Sequence, residues 1–343
     1  EAAAIRWAAD QGAKVINLSL GGLRDPTNAD RDTYSAIEAS AVAYAFSKGA
    51  VLVAAVGNSD EAPSEPWPFA SYPAALPHVI GVSALTRSGN VPAFSNRDAI
   101  FNDIAAPGVD IFSTFPSNIT SLRPSCADQG YSDCGTSDYA NPEGTSFAAP
   151  QVTAAAAMLL AVDPSLTNSQ VTTLLEHTAD DVNATNGCTK CALLRDAYTG
   201  WGRLDVAKAI EALNGPLPAP DRYETNDDAG KQAWTLYGKR VSFTATLDYY
   251  DDPIDVYRIA LSGGETLDAN VQGWAGASLG LVLWRPPTIH VAKAPPTLVA
   301  AQSVKTGAAQ SISFTAPGRG WYYLEVKDAA PGFGQYALTF VKR

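Results

Sequence analysis

The sequence predicts an α/β domain with a mostly parallel sheet and helices on both faces, followed by an all-β sandwich domain. In residues 1–213, helical patterns alternate with short apolar strands, and several of these elements end at a glycine. Strands that alternate with helices indicate a parallel sheet covered on both faces. In residues 222–343, apolar residues instead recur at every second position between turns rich in Gly, Pro and Asp, which is typical of a β-sandwich.

The elements of the first domain follow a regular order. Residues 1–12 (EAAAIRWAADQG) predict a helix, and residues 14–20 (KVINLSL) predict a buried strand. A second helix is predicted within 33–49, and strands are predicted at 51–58 (VLVAAVGN), 79–84 (VIGVSA) and 109–115 (VDIFSTF). The helix after Ser146 precedes another, whose start at Thr167 to Gln170 has the spacing of a capping box.

A proline-rich linker separates the two domains. Residues 214–221 (NGPLPAPD) contain three prolines and a glycine, the composition of a semi-rigid spacer. The strands predicted beyond it are RVSFTATL, DVYRIAL, SISFTA, WYYLEV and QYALTFV.

Composition excludes two classes of partner. The net charge is −11, and the 24 basic residues form no cluster of the kind that binds nucleic acid. The chain has no apolar run of roughly 18 residues, so no membrane span is predicted.

The four cysteines form two local pairs, Cys126 with Cys134 and Cys188 with Cys191, each in a polar loop. Local pairs in loops favour disulfides and an oxidising compartment, and we therefore expect a secreted protein. The alternative is a four-cysteine zinc site, which needs closer spacing than the first pair has.

Ser146 lies in EGTSFAAPQ, where a glycine-rich loop enters a helix. A serine there keeps its own N–H free of helical partners, and the helix dipole favours negative charge at that point. This arrangement would supply half of an oxyanion hole. The alternative interpretation of the same sequence is that Thr145 or Ser146 is an ordinary helix N-cap. Asn58 ends the apolar strand VLVAAVGN, where open α/β sheets bind ligands, and its NH2 group is able to donate to an oxyanion. The alternative for Gly57-Asn58 is a simple turn.

Three segments in this order, INLSLGG (16–22), VAAVGN (53–58) and GTSFAAPQVTAAAAML (144–159), resemble the subtilisin-like serine proteases. The resemblance covers residues 1 to about 213. It implies that Ser146 is the nucleophile, that Asn58 is the oxyanion donor, and that a polypeptide is the substrate. It also implies that Ser19, Leu20 and Gly21 pair with the substrate backbone. The implied walls of the primary specificity pocket are Ala54, Ala55 and Gly57, with Ala74 near its floor. Small uncharged walls favour a large apolar substrate side chain.

The aspartate and histidine motifs of that family, D-[ST]-G and H-G-T, do not occur in this chain. His78, His177 and His290 lie in other contexts, and each is expected to be structural or exposed. We expect the chain to be a fragment that lacks an N-terminal segment of the catalytic domain and to be inactive alone. The alternatives are a separate polypeptide that supplies this segment, or a degenerate relative that acts as a noncatalytic secreted binding protein.

The second domain resembles the bacterial pre-peptidase C-terminal domain, through YETNDD, DDPIDVYRIAL, GGETLDANV, GRGWYYLEV and GQYALTF. No cofactor is expected to be required. Glu224, Asn226 to Asp228, Asp255 and Tyr257 offer oxygens for a structural calcium ion, or they form a solvated acidic turn. Trp274, Trp284 and Trp321 either bind polysaccharide or fibrous protein, or pack the core, and we expect at least two to be core residues.

Overall fold

The computed structural model describes residues 1–114 and 139–343, and within these ranges the chain divides into two compact units, Glu1–Pro218 and Ala219–Arg343. The Cys126 and Cys134 pair lies outside the described residues. Cys188 and Cys191 are joined by a disulfide, which confirms that pair and removes two ligands from the alternative zinc site. Each unit is described by itself below.

The first unit is built on a four-stranded sheet in which every neighbouring pair is parallel. Its strands, in spatial and chain order, are β1 (Val15–Leu18), β2 (Val51–Ala55), β3 (Val79–Leu85) and β4 (Ile104–Pro107). A short antiparallel pair, β5 (Ser113–Thr114) with β6 (Tyr139–Ala140), stands apart from this sheet. The helices are α1 (Ala2–Asp10), α2 (Ala36–Ser47), α3 (Thr145–Val162), α4 (Asn168–His177) and α5 (Val206–Ala212).

Alternate residues of β2 show how the sheet is covered. Val51, Val53 and Ala55 belong to a core cluster with residues of α3, α4 and α5. Leu52 and Ala54 belong to a second cluster, built with residues of α1 and α2. Successive strand side chains point to opposite faces, so helices cover both faces of the sheet, as the sequence predicts.

The strand predicted at 109–115 is the main error in this unit. The fourth parallel strand is β4, whose residues Ile104, Ala105 and Ala106 are fully buried. Of the described residues 109–114 of this segment, only Ser113 and Thr114 pair as a strand, and Phe112 is 71% exposed. A short apolar run next to turn signals predicts a strand equally well whether it lies inside a sheet or at the surface.

The predicted start of the helix at Thr167 agrees with the structure. Thr167 caps α4 with both bonds of a capping box: the Gln170 N–H donates to Thr167 Oγ1 at 3.2 Å, and the Thr167 N–H donates to Gln170 Oε1 at 3.0 Å. Helix α3 is, by length and composition, the one described helix that would pass for a membrane span. It packs against all four strands of the parallel sheet, and central helices of globular domains share that composition.

The second unit contains two sheets that share one core. Its strands are β7 (Trp234–Leu236), β8 (Arg240–Asp248), β9 (Ile254–Leu261), β10 (Thr266–Gln272), β11 (Leu279–Trp284), β12 (Val299–Ser303), β13 (Ala309–Thr315), β14 (Gly320–Asp328) and β15 (Phe333–Lys342). The sheet orders are β13-β10-β15-β8 and β12-β11-β14-β9-β7. All five segments predicted as strands lie on strands, and one apolar cluster takes residues from both sheets.

Candidate active site

Three chain segments meet at the carboxyl edge of the parallel sheet. Ser19 to Gly21 follows β1, Gly57 and Asn58 follow β2, and Ser146 lies in the first turn of α3. In open α/β sheets this edge is where ligands bind. The structure therefore brings the predicted nucleophile, oxyanion donor and substrate strand together.

The Asn58 side chain is held in one orientation by Thr145. Asn58 Oδ1 accepts hydrogen bonds from the Thr145 N–H and from Thr145 Oγ1, both at 3.0 Å. Because a backbone N–H only donates, the atom facing it must be the carbonyl oxygen of the amide. The Asn58 NH2 group is consequently directed away from Thr145, toward Gly144, whose added Cβ would lie 3.2 Å from Asn58 Nδ2.

Gly144 connects this contact to the start of α3. It is the N-cap residue, with φ 143° and ψ 156°, a conformation that is essentially restricted to glycine. A side chain at this position would strain the backbone and press on the Asn58 amide. The glycine before Thr145 is therefore required by its backbone conformation and by its closeness to the Asn58 side chain.

The backbone of Ser146 is fixed by Ser19 and Pro150. Pro150 has no N–H, so it gives the Ser146 carbonyl no helical hydrogen bond from position i+4. Ser19 Oγ donates to that carbonyl at 2.7 Å, and Asn17 Nδ2 donates to Ser19 Oγ at 2.9 Å. Asn17 Oδ1 in turn accepts from Thr153 Oγ1, one helical turn beyond Pro150, at 2.9 Å. The Ser19 side chain, in the segment that follows β1, thus supplies the hydrogen bond that the proline cannot give.

The Ser146 side chain is half-buried and lies against the substrate strand. Its Oγ donates to the Ser19 carbonyl at 3.4 Å, a long and therefore weak hydrogen bond. The Ser146 N–H has no hydrogen-bond partner among residues 1–114 and 139–343, as expected for the first turn of a helix. Asn58 and Ser146 line the same cavity.

None of the three histidines hydrogen-bonds to Ser146. The His78 ring is stacked on Phe46 with a centroid separation of 4.1 Å. The His177 ring packs edge-on against Trp201, and burial lowers its pKa from 6.5 to about 4. In the second unit, His290 Nδ1 lies 2.7 Å from Asp228 Oδ2. Each histidine thus contacts an aromatic ring or a carboxylate rather than Ser146, in agreement with the expectation that the three are structural or exposed.

A cavity of about 230 Å³ opens beside Ser146. Of the predicted substrate-binding residues, Leu20, Gly21, Ala55 and Gly57 line it. Ala54 and Ala74 are fully buried in the core cluster on the α1 and α2 side, and Ser19 engages the Ser146 carbonyl. Leu23, Asp60 and Ser71 also line the cavity, and sequence reasoning did not identify them. Neither Ser71 nor Asp60 lies in a recognisable sequence motif, and the tertiary fold places both at the cavity.

Two glycines allow the cavity walls to approach each other. A Cβ on Gly57, whose φ is 96°, would lie 2.2 Å from Ser71 Oγ. A Cβ on Gly21 would lie 2.5 Å from the Tyr72 carbonyl oxygen, and the neighbouring Gly22 exchanges two backbone hydrogen bonds with Tyr72, both at 2.9 Å. Gly21 is thus required by close packing against this protein's own Tyr72 segment.

A second cluster of functional interest lies in the second unit. Asp221, Glu224, Asp252 and Asp255 each offer one carboxylate oxygen, and these oxygens all lie within 4.8 Å of one another. Burial, followed by the repulsion of neighbouring carboxylates, raises the pKa of Glu224 and Asp252 well above the ordinary range. A cluster of this kind favours an added positive charge.

Asp255 is anchored by two tyrosines. Its Oδ2 accepts from Tyr257 Oη at 3.1 Å and from Tyr336 Oη, and its Oδ1 has no hydrogen-bond partner in the described part of the chain. Asn226 is fully buried, and its side chain interacts with the Asp255 carboxylate, which favours the ionised form of that carboxylate. Of the predicted calcium ligands, Glu224 and Asp255 are in the cluster, Tyr257 bonds to Asp255, and Asp228 binds His290 and two backbone N–H groups. Sequence reasoning missed Asp221 and Asp252.

The predicted binding tryptophans have different surroundings. Trp284 is 8% exposed, and its Nε1 donates to Glu325. Trp274 packs against the shared core, whereas Trp321 is 41% exposed, with the Arg258 guanidinium 4.7 Å from its ring centroid. Core packing thus accounts for two of the three, as expected.

Comparisons with known proteins show what this chain is similar to. Residues 1–202 match the sequence profile described as "Subtilase family". Fervidolysin from Fervidobacterium pennivorans is 38% identical over 63% of this chain and 28% of its own length. Thermitase from Thermoactinomyces vulgaris is 34% identical over 60% of this chain and 57% of its own length. Among solved structures, sphericase is 32% identical with a TM-score of 0.45, over 60% of this chain and 62% of sphericase.

The chain spans just over half the length of thermitase and less than a third of that of fervidolysin. The family match covers more than half of this chain and includes both Asn58 and Ser146. The chain belongs to the subtilase family of serine peptidases.

Proposed function

We propose that this chain supplies the nucleophile and the oxyanion hole of a secreted serine endopeptidase, and that its histidine and aspartate come from a preceding segment of the catalytic domain. The observation that carries the proposal is that Asn58 and Ser146 line one cavity, with the Asn58 amide oriented by Thr145 through its oxygen. A peptide would lie along Leu20 and Gly21 with its scissile carbonyl at Ser146. Subtilase membership and the Cys188–Cys191 disulfide support peptide hydrolysis and secretion.

In the proposed reaction this chain provides the nucleophile and the oxyanion donors, and the preceding segment provides the base. Ser146 Oγ would attack the carbonyl carbon to give a tetrahedral adduct whose oxyanion Asn58 and the Ser146 N–H stabilise. Collapse of the adduct would break the C–N bond, leave an acyl-enzyme and release the amine, which takes up the serine proton from the base. That base must first take the hydroxyl proton, and in the described residues the Ser146 hydroxyl hydrogen-bonds only to the Ser19 carbonyl. Without that base, the serine remains a weak nucleophile.

We expect a fluorophosphonate probe to leave this chain essentially unlabelled, because phosphonylation also requires removal of the Ser146 proton. The same chain extended with a segment that contains the D-[ST]-G and H-G-T motifs should be labelled at Ser146, as identified by peptide mass spectrometry. The matched control is the extended chain with Ser146→Ala, which should not react. Rapid labelling of the unextended chain would contradict the assigned source of the base. An unreactive extended chain that folds normally would contradict the enzyme proposal and favour a noncatalytic binding protein.

We further propose that residues 222–343 form a β-sandwich of the pre-peptidase C-terminal type that holds a structural calcium ion. The donor set fits calcium, a hard cation that takes six to eight oxygens, because Asp221, Glu224, Asp252 and Asp255 converge and the buried Asn226 amide adjoins them. The carboxylates would hold the ion, and the ion would offset their mutual repulsion.

We expect calcium to stabilise this unit and a chelator to destabilise it. Because the ion would bind only the folded cluster, saturation at a hundredfold excess over Kd adds about 2.7 kcal/mol to the free energy of unfolding. Thermal unfolding of the chain with calcium, with magnesium and with EDTA measures this effect. Asp252→Asn, which keeps the side-chain shape and removes one charge, should weaken the calcium response. Identical melting temperatures in calcium and EDTA would contradict the site.

A further inference from the structure

We infer that Asp60 gives the cavity beside Ser146 a preference for a basic substrate side chain, lysine or arginine, immediately before the scissile bond. This inference rests on the proposed function, because it assumes that a peptide side chain enters the cavity. A preference for a basic side chain differs from the preference for a large apolar side chain that the small, uncharged pocket walls predict from the sequence.

Asp60 is the one residue with an ionisable side chain among the described residues that line the cavity. The others are apolar, glycine, or neutral hydrogen-bonding groups: Leu20, Gly21, Leu23, Ala55, Gly57, Asn58, Ser71, Thr145 and Ser146. Asp60 lies in a short 3₁₀ helix, Ser59–Glu61, that begins directly after Asn58. It is exposed, so a ligand can reach its carboxylate without a large desolvation cost.

The backbone that carries Asp60 is fixed to the body of the unit. The Ser59 N–H donates to the Phe94 carbonyl at 2.8 Å, and Ser59 Oγ donates to the same oxygen at 3.0 Å. Asn58 forms a bridge with Ser95, and the Asn96 N–H donates to the Gly57 carbonyl at 3.0 Å. The Asp60 carboxylate is thus carried by a turn whose backbone is held by hydrogen bonds, which favours a defined position for a bound cation.

Arg24, the chain neighbour of the lining residue Leu23, already has another partner. It donates to Asp98 Oδ2 at 2.9 Å. Asp60 forms no ion pair with any residue in the described ranges. A cationic substrate side chain would therefore meet a carboxylate that no cation of residues 1–114 or 139–343 pairs with.

The apolar walls are compatible with a basic side chain. Lysine and arginine lay their methylene stems along apolar surface and keep the charged group at a polar site. Leu20, Leu23 and Ala55 offer such a surface, and Asp60 offers the polar end. A bound cation would also offset the unfavourable effect of the Asp60 charge on an oxyanion held by the adjacent Asn58.

The test compares two fluorescent tetrapeptide amides that differ only in the last residue, lysine or norleucine. Norleucine keeps the four-carbon stem of lysine and lacks the ammonium group. Binding to the unextended chain, measured by fluorescence anisotropy, does not require the catalytic base. We expect the lysine peptide to bind about fivefold more tightly, the upper end for an exposed ion pair. Asp60→Asn should bring the two affinities together, and Asp30→Asn, an exposed carboxylate outside the cavity lining, should leave the difference unchanged.

The outcomes separate this inference from the proposed function. A lysine preference that disappears in Asp60→Asn and shrinks in 1 M salt supports it, since salt screens exposed pairs. Equal binding of both peptides, or a lysine preference unchanged in Asp60→Asn, overturns the role of Asp60 and leaves the peptide cleft in place. If neither peptide binds, the cavity is not a peptide subsite, and both the inference and the proposed peptide-binding mode are wrong.

Discussion

Replacing Asn58 with alanine should lower kcat about 100- to 1,000-fold in the extended, active form of the protein and change KM little. This is the loss observed when an oxyanion donor is removed from a subtilisin, and we adopt that magnitude for Asn58. The physical reason is that the NH2 group donates to charge that develops only in the transition state. The bound peptide therefore loses little, and the barrier rises.

The choice of control follows from the contacts of Asn58. Alanine also removes the acceptor of the Thr145 N–H and Oγ1 hydrogen bonds, so a change in activity could come from movement of α3. Asn58→Asp keeps that acceptor, has nearly the same shape, and lacks the NH2 donor. We expect both variants to lose kcat, and we expect only the alanine variant to be less stable. An aspartate variant with normal kcat would contradict the role of Asn58 as donor.

The positions of Ser146 and Asn58 at one cavity were predictable because each residue lies in a short local motif. Ser146 and Asn58 are fixed by the glycines beside them and by the end of a strand or the start of a helix. Ala54 and Ala74 illustrate the limit of this approach. Ala54 and Ala55 are neighbours on one strand, and their side chains point to opposite faces of the sheet. The sequence alone does not show which of the two faces the pocket, because that depends on how the strand is oriented in the sheet.

The remaining site residues depend on contacts between distant parts of the chain. Asp60 and Ser71 reach the cavity through loops whose course is set by Tyr72 and by residues 94–96. Asp221 and Asp252 join Glu224 and Asp255 only because the turn before β9 folds against the segment that leads into β7. A sequence pattern shows that carboxylates are abundant there, and the fold decides which of them converge.

Breaking the buried ion pair between Arg195 and Asp103 should destabilise the first unit by about 3–5 kcal/mol. The side chains of Arg195 and Asp103 are 4% and 2% exposed, and Arg195 Nη2 donates to Asp103 Oδ1 at 3.0 Å. Arg195 also donates to the carbonyls of Ala99 and Ile100, while Asp103 Oδ2 accepts the Gly81 N–H of β3 at 2.7 Å. Arg195→Met would leave a buried carboxylate without its cation, and the loss of that compensation is the main cost.

A second variant distinguishes the uncompensated charge from lost packing. Arg195→Met combined with Asp103→Asn removes the buried charge and keeps an acceptor for the Gly81 N–H, so it should recover part of the stability lost in Arg195→Met. Hydrogen exchange of peptides from residues 1–218 measures each variant, because the two units need not unfold together. Equal exchange rates in both variants would mean that arginine packing, rather than charge compensation, stabilises this region. Since Gly81 pairs with Ala54 on β2, faster exchange should extend to the strand that positions Asn58.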